Sequence, residues 1–374
     1  MATDIWHYPR TELASQYLDI LKTGLTHRLA LFAPRRMGKT EFLVLDLAPA
    51  ASRRRYWVIY VSLWADVNAP HHALLDALRE AVETSANKRF ALRKMMESAV
   101  KKVRVDSGLG VGAEVEFADA PSAPSKSELA EIKKLLQTLA AKRPGKVLLL
   151  LDEVQHLTTH ERFVPLQYAL RTALDVLRGQ VNVVFTGSSR LGMRRMFGDS
   201  QAPFYSFAEQ LPFPHLNREF VTFLGKTFKR VTKRTLDEGA VWSYFGRLSY
   251  NPFYLANIIK LIALNPELSL NNAYQRVFEA MASQNDYAGR WRRMKPLDRL
   301  VYSAVADAKP LYSAQQLKTF STQLGKTMSA PAVQKSVRRL LDAHMISPTD
   351  QRGRYVTEFP GFAEWCTQHQ DERG

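Results

Sequence analysis

The sequence predicts an α/β fold in three parts: a parallel sheet, a helical lid and a C-terminal winged-helix domain. Three observations carry this. Near-continuous apolar runs alternate with helical stretches through the first half, the pattern of a parallel sheet covered on both faces. From Leu216 the pattern is wholly helical. After about Trp291, three amphipathic segments precede two short extended pieces, the element order of a winged helix. The expected boundaries are residues 1–217, 218–290 and 291–374.

The elements follow in order. Residues 29–32 form a short apolar strand that enters Gly38-Lys39-Thr40, and "TEFLVLDL" starts a helix behind it. "YWVIYVSLW", residues 56–64, is rich in β-branched and aromatic side chains and reads as a buried strand. "KVLLLLDE" (146–153) and "VNVVFTGSS" (181–189) are two more. Residues 106–127 are small and rich in Gly, Pro and Ser, and 111–117 alternate like a strand. They read as a flexible insert or hairpin with no site in it. In "REFVTFLGKTFKR", Phe220, Phe223, Leu224 and Phe228 share one helical face. In the tail, Val333, Val337, Leu340 and Leu341 form one stripe of the third helix, and Gln351-Arg352-Gly353 separates the two extended pieces. No internal repeat is visible.

Composition narrows the function classes. The chain of 374 residues is 46% hydrophobic and 24% charged, ordinary for a soluble globular protein. Its 52 Lys+Arg against 36 Asp+Glu leave a net charge of +16. Such a charge favours polyanions, either nucleic acid or an acidic membrane surface, unless the chain is simply a basic soluble protein. Cys366 is the single cysteine, which excludes an intrachain disulfide or a Cys-based zinc site. Asp4, Arg10, Glu12 and Asp19 argue against a signal peptide, and no apolar run is long enough for a bilayer. A cytoplasmic protein without a membrane partner is expected.

Two motifs carry chemistry. "APRRMGKTE" (residues 33–41) is a phosphate-binding loop in all but its first position, where Ala33 replaces glycine. The backbone of Ala33, Pro34, Arg35, Arg36, Met37, Gly38, Lys39, Thr40 and Glu41 would wrap phosphate at a helix N-terminus. Lys39 would reach the β/γ-phosphates, and Thr40 would hold Mg²⁺ through its hydroxyl. Gly38 is needed where backbone and phosphate approach most closely. Ala33 is the smallest possible departure, at the strand end farther from the phosphates. The second motif is "VLLLLDE", an apolar strand ending in two carboxylates. Asp152 would organise Mg²⁺, and Glu153 would polarise an attacking water. The fold class is then that of a P-loop NTPase, with ATP and Mg²⁺ as cofactors. A third strand ends in Thr186, Ser188 and Ser189, the two serines being candidate γ-phosphate sensors. Arg190 follows at once, with Arg194 and Arg195 on the next turn. Any of these arginines could touch the transferred phosphate, within the subunit or across an interface, or simply form a solvated basic turn.

These residues carry a resemblance. "APRRMGKTEFL", "LLLLDEVQHL", "FTGSSR" and "SYNPFYLANII" together resemble the archaeal-type, signal-transducing (STAND) branch of AAA+-related P-loop ATPases, and "HYPRTELASQYLDIL" is similar to that family's opening segment. The resemblance implies ATP held between core and lid, and a sheet with an extra strand between the loop strand and the Asp-Glu strand. It implies an adenine contact at Asn251 and Pro252, and a γ-phosphate contact at Arg190. It also implies a terminal winged helix in "LLDAHMISPTDQRGRYVTEFPGFAEWC". The chain departs from the family at Ala33, and at Ser249-Tyr250 where glycine is usual. Asn251-Pro252 also reads as a plain helix-breaking turn.

Two functions stay open. In one, a Mg²⁺-dependent ATPase acts on double-stranded DNA through Gln334, Lys335, Arg338 and Arg339 of the third helix and Arg352 and Arg354 at the wing. In the other, a slow nucleotide switch turns its winged helix to its own core, a protein partner or another copy of the chain.

Overall fold

The computed structural model describes residues 5–84, 120–349, 351, 353–359 and 361–369. Of the expected insert, residues 106–119, with the alternating stretch 111–117, lie outside the described residues, and so does Arg352. The chain divides into two compact units, residues 1–214 and 215–374.

The first unit is built on five parallel strands: β1 (Arg28–Phe32), β2 (Trp57–Ser62), β3 (Val147–Asp152), β4 (Val181–Gly187) and β5 (Glu209–Pro212). Their order is β2-β3-β4-β1-β5. The strand β4 therefore lies between the loop strand β1 and the Asp-Glu strand β3, as the resemblance implied. Strand β3 shows why its sequence is continuously apolar. Val147, Leu149 and Leu151 enter one hydrophobic layer, Leu148 and Leu150 the other, and all five are fully buried. The first layer is shared with helices α2 (Pro70–Glu83), α3 (Lys126–Lys142), α4 (Val164–Val176) and α5 (Arg190–Phe197). The second is shared with α1 (Thr11–Thr23) and the helix behind the phosphate-binding loop. That helix is α-helical at Lys39–Glu41, widens to a π-helical stretch over Phe42–Leu47, and returns to α geometry over Ala48–Arg53.

Strand β5 was not foreseen. Its sequence, EQLP, is short, has one strongly apolar residue and covers an edge. It lacks the apolar run that announces the central strands, and pairing with β1 alone defines it. The insert reading also ends too late. Ser125 caps α3, with Glu128 completing a reciprocal capping box.

The second unit starts with α6 (Arg218–Thr232), α7 (Glu238–Arg247), α8 (Pro252–Leu264), α9 (Leu270–Gln284) and α10 (Tyr287–Arg293). Phe220, Leu224 and Phe228 are buried on α6 as their spacing requires, while Phe223 is half-buried. Then come α11 (Pro296–Ala306), α12 (Ala314–Leu324), α13 (Ala330–Asp342) and an antiparallel hairpin of β6 (Ile346–Pro348) and β7 (Tyr355–Thr357). Three helices and a hairpin complete the winged-helix element order. A last helix, α14 (Phe362–Gln368), ties this part to the lid helices. Glu364 pairs with Arg247 of α7 and accepts from the Tyr274 hydroxyl of α9 at 3.0 Å. Phe362 packs edge-on against Tyr287 at 4.9 Å and Tyr302 at 5.1 Å. Lid and winged helix thus share one compact unit.

Candidate nucleotide site

The strand tips of the first unit bring the two motifs together. The loop after β1 turns on two positive-φ residues, Arg36 at 65° and Gly38 at 82°. Gly38 is the position where a side chain would be strained. Ala33 needs no such freedom: it is buried, and its N–H donates to the Gly187 carbonyl at 3.3 Å. The missing first glycine therefore costs this loop nothing visible.

Lys39 is 4% exposed and its ammonium donates to the carbonyls of Ala33 at 2.6 Å and Pro34 at 2.9 Å. Burial pulls its pKa down, while Glu153 and Asp152 pull it back up. The Thr40 hydroxyl donates to Asp152 Oδ2 at 2.7 Å, and the Tyr60 hydroxyl reaches the same oxygen at 3.0 Å. Thr186 donates to Oδ1 from the neighbouring strand. Asp152, 1% exposed, is thus oriented through both oxygens.

Glu153 leaves the strand in a left-handed conformation, φ 57°. Its Oε2 accepts from Ser188 Oγ at 2.6 Å and from Gln155 Nε2 at 2.5 Å. Gln155 in turn accepts the Ser188 backbone N–H through Oε1 at 3.3 Å. Burial raises the Glu153 pKa, Lys39 opposes that and Asp152 adds to it. A carboxylate so raised and held is suited to taking a proton.

The flanking residues separate into groups. Ser188 holds Glu153, whereas Ser189 caps α5 by accepting from Gly192 N at 3.1 Å. Arg190 opens that helix with its guanidinium 4.4 Å from the Phe32 ring centre, and its buried Nε has no hydrogen-bond partner. Arg194 and Arg195 are exposed. Arg35 is exposed, with its guanidinium 4.8 Å from the Trp64 ring centre. Met37 is buried, while Pro34 and Glu41 are half-buried at the loop's ends.

A phosphate chain with a divalent cation fits these residues. The arrangement supplies a buried ammonium, an unpartnered buried guanidinium nitrogen and a positive-φ glycine. It also supplies a Thr hydroxyl directly on an Asp carboxylate, the two oxygen donors a Mg²⁺ ion takes.

Sequence reading missed three supporting residues. Tyr60 and Gln155 carry polar tips next to the motifs, but nothing local says where those tips go. Arg10 donates to the Met37 carbonyl at 3.2 Å and the Pro214 carbonyl at 2.9 Å, over the Phe213 ring at 4.3 Å. It braces the loop from 27 residues away, a contact no pattern announces.

In the second unit, Asn251 is 2% exposed and caps α8, accepting from Phe253 N at 3.1 Å, with Pro252 at the first helical position. The pair therefore starts a helix, where the plain reading had a helix-breaking turn. Ser249 and Tyr250 both have positive φ, 53° and 54°, which explains physically why glycine suits these positions.

On α13, Val333, Val337 and Leu340 are buried and Leu341 half-buried; Gln334, Lys335 and Arg338 are exposed. Arg339 corrects the expectation of an outward-facing set. Its Nε donates to Asp298 Oδ2 at 3.0 Å and its Nη2 to Oδ1 at 2.5 Å. Buried Ser336 binds the same Asp298 at 2.6 Å. A bidentate pair with a buried carboxylate engages one edge of the guanidinium, Nε and Nη2. Arg354 spends one nitrogen on the Ala308 carbonyl at 2.9 Å and is otherwise exposed.

Comparisons with known proteins place this geometry among solved folds. No family model matches the chain, and no curated protein matches it in sequence. Solved structures do match over nearly its whole length. The Walker-type ATPase PABY2304 of Pyrococcus abyssi is 18% identical, with a TM-score of 0.58, covering 96% of this chain and 99% of its own. The ORC2 protein of Aeropyrum pernix, in its ADP form, is 14% identical with a TM-score of 0.51, covering 97% and 93%. At these identities the likeness is one of fold alone, that of a P-loop NTPase-type α/β unit followed by a mostly helical unit.

Proposed function

We propose that this chain is an ATPase that binds ATP with Mg²⁺ at the strand tips of its first unit and couples nucleotide state to double-stranded DNA through its winged helix. The hydrogen bond of Thr40 to Asp152, beside the buried Lys39, carries the nucleotide half. It joins the two motifs, 112 residues apart, in the arrangement phosphate and a divalent cation require. The solved structures named above are of a Walker-type ATPase and of an ORC2 protein in its ADP form, which supports the same reading.

Each residue has a task. Lys39 binds the β/γ-phosphate oxygens once its ammonium leaves the loop carbonyls. Thr40 and Asp152 would hold Mg²⁺, which supplies charge neutralisation on those oxygens. Glu153 accepts the proton of the attacking water, and Ser188 and Gln155 fix the orientation of its carboxylate. Arg190 Nε, buried without a partner, is assigned to the γ-phosphate. Gln334, Lys335 and Arg338 are assigned to DNA, with Arg354 beside them.

A second reading, a slow switch whose winged helix meets a protein partner, is favoured by Arg339. One of the four residues of that helix expected to read DNA is engaged in an ion pair within the unit. The deciding measurement is the ATPase rate with and without duplex DNA. Stimulation supports the DNA-coupled ATPase. A measurable rate that DNA leaves unchanged, with no duplex binding, moves the assignment to the switch.

A further inference from the structure

On the first unit, apart from the phosphate-binding loop, two helix N-termini present a set of metal-ligand side chains to one another. His71 and His72 lie in the first turn of α2, and Glu128 lies in the first turn of α3. Glu128 Oε1 is 3.2 Å from His72 Nε2 and 3.7 Å from His71 Nε2. The three ligand atoms all lie within 4.8 Å of one another. Four-coordinate zinc with ligands at about 2.0–2.1 Å spaces neighbouring donors by roughly 3.4 Å.

His71 is the independent sign that this is more than a surface ion pair. It is 1% exposed, and neither ring nitrogen has a hydrogen-bond partner. A buried imidazole left so is costly unless something else engages it.

The remaining groups are arranged as supports. Glu128 Oε2 is fixed by the Ser125 backbone N–H at 2.8 Å and the Ser125 hydroxyl at 2.7 Å, which leaves Oε1 for the imidazoles. His72 Nδ1 faces Asp66 Oδ2 at 3.6 Å. Asp66 is itself held through Oδ1 by the N–H groups of Asn68 at 3.2 Å and Ala69 at 2.9 Å. A carboxylate behind the non-ligating nitrogen is how metal-binding histidines are oriented.

We propose that His71, His72 and Glu128 form a binding site for a divalent transition ion of the zinc class, with Asp66 positioning His72. Two imidazoles and one carboxylate suit such an ion and leave a further position for water. The ion would replace the His72–Glu128 hydrogen bond and give His71 the partner it lacks. Its effect would be to clamp the start of α2 to the start of α3.

The test is metal titration of the full chain after chelator treatment, with Zn²⁺ followed by mass spectrometry and Co²⁺ by its visible absorption. The expected result is about one ion per chain, tetrahedral-type cobalt bands and a melting temperature raised by Zn²⁺. His72→Ala and Glu128→Gln should each weaken binding about tenfold or more, and Asp66→Asn by about ten- to a hundredfold. Glu128→Gln preserves the capping box, so its melting temperature without metal reports an intact fold. Absence of stoichiometric Zn²⁺ and Co²⁺ binding overturns the site. So does binding that both His72→Ala and Glu128→Gln leave unchanged.

Discussion

The strand tips of the first unit and the third helix of the winged domain use charge in opposite ways. At the strand tips, charged groups converge and are buried or half-buried: Lys39, Asp152 and Glu153 are each held by named partners. On α13, Lys335 and Arg338 stand in solvent, and Arg339 is organised by its ion pair with Asp298. The first pattern fixes orientation and shifts pKa values, as chemistry requires. The second supplies field strength without geometry, which suits salt-sensitive binding to a polyanion and little base reading.

Lys39→Ala should break the first region outright. With the buried cation gone, ATP binding should be undetectable by calorimetry up to about 1 mM. Parental affinity in this variant would mean that the phosphate site lies elsewhere. Glu153→Gln sharpens the division inside that region. ATP should still bind, while single-turnover hydrolysis falls by about 10²–10⁴-fold, the usual worth of a positioned base.

The same carboxylate fixes a pH dependence. Glu153 is raised above its ordinary 4.5 by burial, so its basic form is lost as pH falls through a value higher than that. The hydrolysis rate should therefore drop on the acid side at a pH above the normal carboxylate range. A profile flat down to pH 4.5 would remove Glu153 from the base role.

Arg339→Ala tests the second region from inside. It should lower stability by about 1–3 kcal/mol in a denaturant titration, because buried Asp298 keeps Ser336 but loses both guanidinium bonds. Burial alone would raise the Asp298 pKa, but hydrogen bonds from Arg339 and Ser336 overcome this and hold it below 3.8. The stabilisation is thus present above pH 3.8 and lost as pH falls through the lower folded value. The variant should lose that acid-dependent part of its stability.

The smallest effects belong to the exposed cations. Lys335→Ala and Arg338→Ala should each flatten the slope of log affinity for duplex DNA against log salt by about 0.9. Both should leave DNA-independent ATPase activity intact. Unchanged slopes would favour the protein-partner switch.

Legibility followed the range of the interactions. The first four strands, β1 to β4, the loop and the carboxylate pair could be read directly, because apolar runs and short motifs are local in sequence. Strand β5 could not, since a four-residue edge piece takes its identity from its neighbour. Arg10 reaches Met37 and Pro214 across the chain, and its role is invisible until the fold closes. The pairing of Arg339 with Asp298 was unforeseen for a related reason. Helical spacing places a residue on a face, but Asp298 on another helix decides whether the side chain leaves it.

By itself, the sequence determined the strand-loop-helix around Lys39, the apolar strand that ends in Asp152 and Glu153, and the amphipathic stripes of the helices. These depend on backbone propensity and hydrophobic period, which act over a few residues. Only the tertiary structure decided which polar tips meet. It put Thr40, Tyr60 and Thr186 on one carboxylate, Ser188 and Gln155 on the next, and Glu128 opposite His71 and His72. Such meetings follow from sheet order and helix packing, because a directional contact of about 3 Å exists only after distant segments have been brought into register.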